Sequence, residues 1–170
     1  MGGSLHPMID HPEIKVGDVS AINISRLPKF SHPYYTPSFE TALMDDWERK
    51  LENMVKECSI EDVVMFGGVP TWNLVLFRKI LEITGKKNML EVWPNLNLYL
   101  HGGVSFKPYR KQFEELIPSD NMNYLEVYNA SEGYFASQMR PTDKGLTLML
   151  DNGIFYEFIP MEEWDKENPK

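Results

Sequence analysis

The stretch VVMFGGVPTWNLVLFRKILEITG, residues 63–85, carries the fold assignment. Val63 to Phe66 is short, apolar and partly β-branched, the composition of a buried strand. Gly67-Gly68 breaks the run. Pro70 opens the next element, because its fixed φ and missing N–H suit the first turn of a helix. The spacing predicts a helix from about Thr71 to Thr84, stopped by Gly85. That helix is apolar on several sides (Trp72, Leu74, Val75, Leu76, Phe77, Ile80, Leu81), so heavy coverage is expected.

The same strand–turn–helix unit recurs downstream. Asn95 to His101 reads as a strand with Leu96, Leu98 and Leu100 on one side, and Gly102-Gly103 breaks it. Ser105 stands where it would cap a helix whose Phe106, Tyr109, Phe113, Leu116 and Ile117 share a face, with Pro118 as its stop. Met122 to Tyr128 is a third strand. Upstream, Ser38 caps a helix ending near Cys58, with Leu43, Trp47, Leu51, Met54 or Val55, and Cys58 at helical spacing and charged side chains opposite. Three helix–strand alternations predict an α/β fold with a mostly parallel sheet and crossover helices. Farther on, Tyr134 to Ser137 reads as a short strand. Gly145 to Leu150 and Ile154 to Ile159 flank Asp151-Asn152-Gly153, a hairpin signal, so the chain is expected to turn antiparallel at its C-terminal end. Residues 1–37, broken by five prolines, read as an irregular segment that leans on something else; 38–160 form the α/β body; 161–170 form a polar tail.

The 170 residues are 42% hydrophobic, enough for one core and too few for two. Seventeen basic against 25 acidic residues leave a net charge of −8, which argues against a general nucleic-acid binder. No run approaches the roughly 18 apolar residues of a membrane span, and the first residues lack a basic segment followed by an apolar one, so a cytoplasmic protein is expected. Cys58 is the only cysteine, which excludes an intramolecular disulfide; on the apolar stripe of its helix it reads as a small buried filler. His6, His11, His32 and His101 lack compact metal-ligand spacing. Neither of the common glycine-rich phosphate loops is present, and Ser131 stands outside a Gly-x-Ser-x-Gly elbow.

Sites in α/β sheets sit beyond the carboxyl ends of strands. Three such ends stand out: Gly67-Gly68-Val69-Pro70, His101-Gly102-Gly103-Val104-Ser105, and Tyr128-Asn129-Ala130-Ser131-Glu132-Gly133. Taken singly, each glycine pair is a tight turn. Taken together on parallel strands, they line one edge of the sheet as a pocket floor where a ligand can approach the backbone. Tyr128 would stack on a flat base, and Ser131 and Glu132 would reach a phosphate and a divalent metal.

At Tyr128-Asn129-Ala130-Ser131-Glu132 the sequence resembles the second nucleotide-binding motif of the auxin-responsive (Gretchen Hagen) acyl-acid amido synthetases, members of the adenylate-forming superfamily. The flanks agree with that family's bacterial branch: Leu90-Glu91-Val92-Trp93-Pro94-Asn95-Leu96, then His101 to Tyr109, then Leu148 to Pro160. Gly2-Gly3-Ser4-Leu5-His6 and Ala42-Leu43-Met44-Asp45-Asp46-Trp47 extend the likeness over nearly the whole chain.

The resemblance implies ATP and Mg²⁺ as cofactors, a carboxylic acid as first substrate, and an amine or amino acid that attacks the acyl-adenylate to form an amide. It places Tyr128, Asn129 and Ala130 at the nucleotide, and Ser131 and Glu132 at the reacting phosphate, with Glu132 as the metal ligand. His101, Gly102, Gly103 and Val104 would border nucleotide and acyl group. Val69, Pro70, Thr71 and Trp72 would line the acyl pocket. Family members are several times longer, and their serine- and threonine-rich phosphate loop, their later Tyr-Arg-x-Gly-Asp segment and their mobile C-terminal domain have no counterpart here. The chain is therefore expected to be an interior piece of the large domain, truncated at its start. It is expected to be inactive in adenylation by itself, completed by the remainder of its own polypeptide and prone to non-physiological self-association. An acyl-CoA ligase of the same superfamily and a non-catalytic small-molecule binding module are the alternatives.

Overall fold

The computed structural model describes residues 3–166. Met1 and Gly2, which belong to the first block of the resemblance, and residues 167–170 of the polar tail lie outside the described residues. The chain opens with a two-stranded antiparallel ribbon, β1 (Leu5–Pro7) and β2 (Lys15–Gly17), followed by α1 (Val19–Ser25) and a 3₁₀ segment over Lys29–Tyr34. Then come α2 (Phe39–Ala42), α3 (Trp47–Cys58), β3 (Met65–Gly67), α4 (Pro70–Thr84), β4 (Leu98–His101), α5 (Arg110–Leu116), β5 (Asn123–Ala130), β6 (Gly133–Ser137) and β7 (Thr147–Leu148).

Five strands form one mixed sheet in the order β3-β4-β5-β6-β7. The β3–β4 and β4–β5 pairs are parallel and are joined through α4 and α5; β5–β6 and β6–β7 are antiparallel. The expected α/β class is therefore present, with crossover helices in the parallel block and an antiparallel C-terminal part. The antiparallel turn comes earlier than the Asp151-Asn152-Gly153 signal suggested. Gly153 does adopt a left-handed φ of 78° and Asn152 Nδ2 donates to Tyr134 O, but 154–159 forms no strand. Tyr156 Oη instead donates to Met149 O at 3.0 Å, a side-chain tie in place of a ladder.

The core lies between the parallel strands and the helices. Phe77, Ile80, Phe113 and Tyr99 are fully buried, with Trp93 and Ile117 nearly so. Tyr99 decides the facing of β4. Its ring stacks on Phe66 at 4.2 Å and on Phe113 at 4.9 Å, and the larger aromatic surface takes the helix side. Leu98 and Leu100 consequently lie half-buried on the opposite face, where the sequence reading had grouped them with Leu96, which is buried. The Val63–Phe66 strand is also an edge strand rather than an enclosed one, and Val64 and Met65 are exposed.

The long helix expected from Ser38 to Cys58 is two helices. Ser38 does cap the first, accepting from Thr41 N at 3.3 Å. Asp46 starts the second, its carboxylate accepting from Arg49 N at 3.1 Å, because aspartate competes for backbone N–H groups and favours caps over helix interiors. Glu57 ties the two together, accepting from Ser38 N at 2.6 Å and from Thr41 Oγ1. Helix α4 begins at Pro70 and ends where Gly85 takes φ 67°, and its far side is less covered than expected: Val75 and Ile83 are exposed. Ser105 caps nothing. Phe106 is drawn into the aromatic core, its carbonyl accepts from both Tyr109 N and Arg110 N, and α5 starts only after that turn. Cys58 is buried as a filler, and burial pushes its thiol up to about 11.

Candidate functional site

Parallel register brings the carboxyl ends of β3, β4 and β5 to one edge of the sheet. Gly67 lies opposite Leu100, and Leu100 opposite Leu125. Past that level, Gly68 N donates to Leu100 O at 3.0 Å, while β5 runs on four residues beyond Glu126, the partner of His101.

The first turn is held from beneath. Tyr99 Oη donates to Gly68 O at 2.9 Å and accepts from Asn73 Nδ2 at 3.3 Å; Asn73 Nδ2 also reaches Val69 O at 3.3 Å. Burial raises the Tyr99 hydroxyl far above the ordinary phenol range, so it stays a neutral donor. Sequence reasoning missed both side chains, since a tyrosine and an asparagine inside apolar runs carry no visible motif.

The second turn packs against β5. A Cβ built on Gly102 would fall 2.4 Å from Val127 O, so only glycine allows this approach. Gly103 has φ 80°, and its Cβ position lies 3.6 Å from Val69 Cγ2, which brings the first and second turns side by side. His101 points inward. Its ring stacks on Phe106 at 4.2 Å, it is 4% exposed, and Nδ1 has no hydrogen-bond partner. Burial, and then the nearby Arg110 guanidinium, lower its pKa to about 4. Arg110 itself lies 5.1 Å above the Tyr124 ring, so it does more than face solvent. The Tyr124 hydroxyl is a second buried atom without a partner.

At the third end the strand runs two residues past the Tyr128 expected from the sequence. Tyr128, Asn129 and Ala130 are the last residues of β5, with a bulge between Tyr128 and Asn129, and Ser131-Glu132 is a two-residue turn between paired Ala130 and Gly133. All five are exposed, and Tyr128 leans on Phe135 with ring centroids 5.3 Å apart. Among the described residues, no group of three His, Cys, Asp or Glu side chains is gathered to hold a metal.

The predicted acyl-lining residues sit at the start of α4. Pro70 is fully buried and serves as the helix's first residue, whereas Val69, Thr71 and Trp72 are exposed. Trp72 packs on Trp47 at 4.7 Å, a neighbour the sequence placed only on a helix stripe.

Parallel strands whose glycine turns share one edge with an overhanging hairpin define a mixed α/β fold, with its candidate site at the strand carboxyl ends. The model of the GH3 family N-terminal domain matches residues 8–122, and the chain belongs to that family, the auxin-responsive acyl-acid amido synthetases within the acyl-adenylate-forming ligases. Family members use ATP and Mg²⁺ for adenylation and take carboxylic acids and amines. The match covers the first two turns and stops short of Tyr128–Glu132. None of the curated proteins compared matches the chain. No helix among the described residues is long and apolar enough to cross a membrane.

Proposed function

We propose that this chain carries one wall of an acid–amine ligase site, which uses ATP and Mg²⁺ to activate a carboxylic acid as its adenylate before an amine takes the acyl group to give an amide. The observation that supports this most is the alignment of the three turns, fixed by the Gly102–Val127 and Gly103–Val69 approaches. Those approaches leave backbone, not side chain, at the bed of the site, beside the start of the β5 overhang.

In this reading Tyr128 offers an exposed ring face to the base, with Asn129 and Ala130 beside it. Ser131 and Glu132 stand on a tight turn, their side chains without a hydrogen bond among the described residues, where a hydroxyl and a carboxylate can meet phosphate oxygens and Mg²⁺. A lone carboxylate suits that ion, which keeps water and substrate-phosphate ligands rather than an all-protein cage. The turn from His101 to Val104 borders the nucleotide and acyl groups; His101 contributes by packing behind the turn. Val69, Thr71 and Trp72 border the acid, and Pro70 holds their helix start from below.

The chain by itself is proposed to bind but not turn over. Adenylation needs several groups held together around the reacting phosphate, and this wall supplies one hydroxyl and one carboxylate. Photolabelling with 8-azido-ATP and Mg²⁺, followed by peptide mapping, tests the placement: label on residues 128–135 is expected, and label elsewhere contradicts it. Amide formed from ATP, an acid and an amine by the purified chain would contradict its inactivity.

A further inference from the structure

A cavity lies along the free edge of β3, away from the second and third turns and reaching the first only at Gly67. It encloses about 770 Å³ between the strap from Pro33 to Ser38, the C-terminal end of α3, β3 itself and α4. That volume falls in the usual range for small-molecule sites. Its floor is apolar: Met54, Leu76, Phe77 and Trp93 are all buried. The Trp93 indole N–H is already committed, donating to Cys58 O at 2.8 Å, so the floor offers ring and methylene surface rather than donors.

The charged side chains around this floor are of one sign. Glu57, Glu61 and Asp62 line the cavity, and among the described residues no lysine, arginine or histidine lines it. Burial alone would raise the Glu57 carboxyl, but hydrogen bonds donated by Thr41 and Ser38 outweigh it and hold the carboxyl below the usual range, so Glu57 is ionised at neutral pH. Burial pushes the Tyr35 hydroxyl up to about 12 and the Cys58 thiol up to about 11, which keeps both neutral. The strand edge adds acceptors. Val64 O accepts from Asn97 N and Gly68 N donates to Leu100 O, so the alternate residues Met65 and Gly67 turn their backbone groups away from β4, toward the free edge.

We propose that this cavity is a binding site for an organic cation: a primary ammonium on an aromatic or aliphatic body, carrying no carboxylate of its own. The body lies on the Phe77–Trp93 floor and displaces water from it. The ammonium stays at the mouth, near the Glu57, Glu61 and Asp62 carboxylates and the outward carbonyls of β3, which accept its three N–H donors. A carboxylate-bearing ligand of the same shape meets only like charge there. The site shares no residue with the Tyr128–Glu132 turn and does not depend on the nucleotide reading.

Titration of the ¹⁵N-labelled full chain with phenethylammonium, and in parallel with 3-phenylpropionate, tests this. The two probes have similar bodies and opposite charges. Saturable shifts of the Trp93 indole N–H and of Met65 and Gly67 amides are expected, with affinity on the order of millimolar for so small a ligand. The anion should bind at least about tenfold more weakly, as expected for reversing one charge beside several carboxylates. Glu61→Lys, on the exposed rim, should weaken the cation about fivefold or more while leaving the spectrum's dispersion intact. Met65→Trp, which fills the mouth from the strand edge, should abolish the shifts. Equal binding of both probes, no shift at these positions up to the solubility limit, or an unchanged affinity in a folded Glu61→Lys variant would each overturn the proposal.

Discussion

Gly102 and Val127 are in backbone contact across β4 and β5: the position of a Cβ on Gly102 is only 2.4 Å from Val127 O. The obstacle is a carbonyl in a paired strand, which cannot swing aside as a side-chain tip can. Gly102→Ala must therefore push the turn away from β5, at a cost of about 1–3 kcal/mol. Gly103 differs, since its Cβ position meets only Val69 Cγ2 at ordinary distance, and its φ of 80° is the sole penalty. Gly103→Ala should cost about 1 kcal/mol. Urea unfolding of the two variants should rank them in that order, and Gly102→Ala should also weaken nucleotide binding more.

Tyr99→Phe removes a hydroxyl that donates to Gly68 O and accepts from Asn73 Nδ2 while leaving the aromatic stack in place. The Gly68 carbonyl and the buried Asn73 amide each lose a partner. A loss of about 1–3 kcal/mol is expected. Amide exchange should rise first at Gly68 and Asn73, because the loss is local to the first turn; unchanged exchange there would contradict the hydroxyl's role in holding it.

His101 makes stability pH-dependent. Its folded pKa is about 4, below the ordinary 6.5, so the unfolded chain binds the proton more readily than the native one. The stability it confers is fully present above pH 6.5 and falls as pH drops toward 4, by about 3 kcal/mol at most. His101→Phe keeps a ring against Phe106 and should flatten the pH 7-to-5 difference in urea midpoint. Glu57, whose carboxyl is held low, adds a separate loss that begins as pH falls to the ordinary carboxyl value of 4.5, at the acid end of the His101 window, and continues below it.

Much of the fold was legible because its signals are local. Gly85 ends α4 through backbone geometry, Pro70 begins it through fixed φ, and the order of helices and strands determines the parallel block. What was not legible depended on tertiary competition. The leucines of β4 mark a periodicity of two but not which face wins, and that was decided by Tyr99 stacking between Phe66 and Phe113. Asp46 was read as surface charge and instead starts a helix. The three turns of the candidate site could be found from glycines at strand ends. The groups behind them, Tyr99, Asn73 and the inward His101, could not, because packing alone gives them their places.

The edge formed by the three turns is proposed as a nucleotide wall with Glu132 at its metal position. Calorimetric titration of the chain with ATP and Mg²⁺, repeated with Glu132→Ala, tests it most directly. Glu132 is exposed on a turn, so its loss should leave the fold intact. Saturable binding that Glu132→Ala weakens about tenfold is expected, the loss of one charge-assisted metal contact. Absence of binding down to millimolar affinity, or binding indifferent to Glu132→Ala, would contradict it.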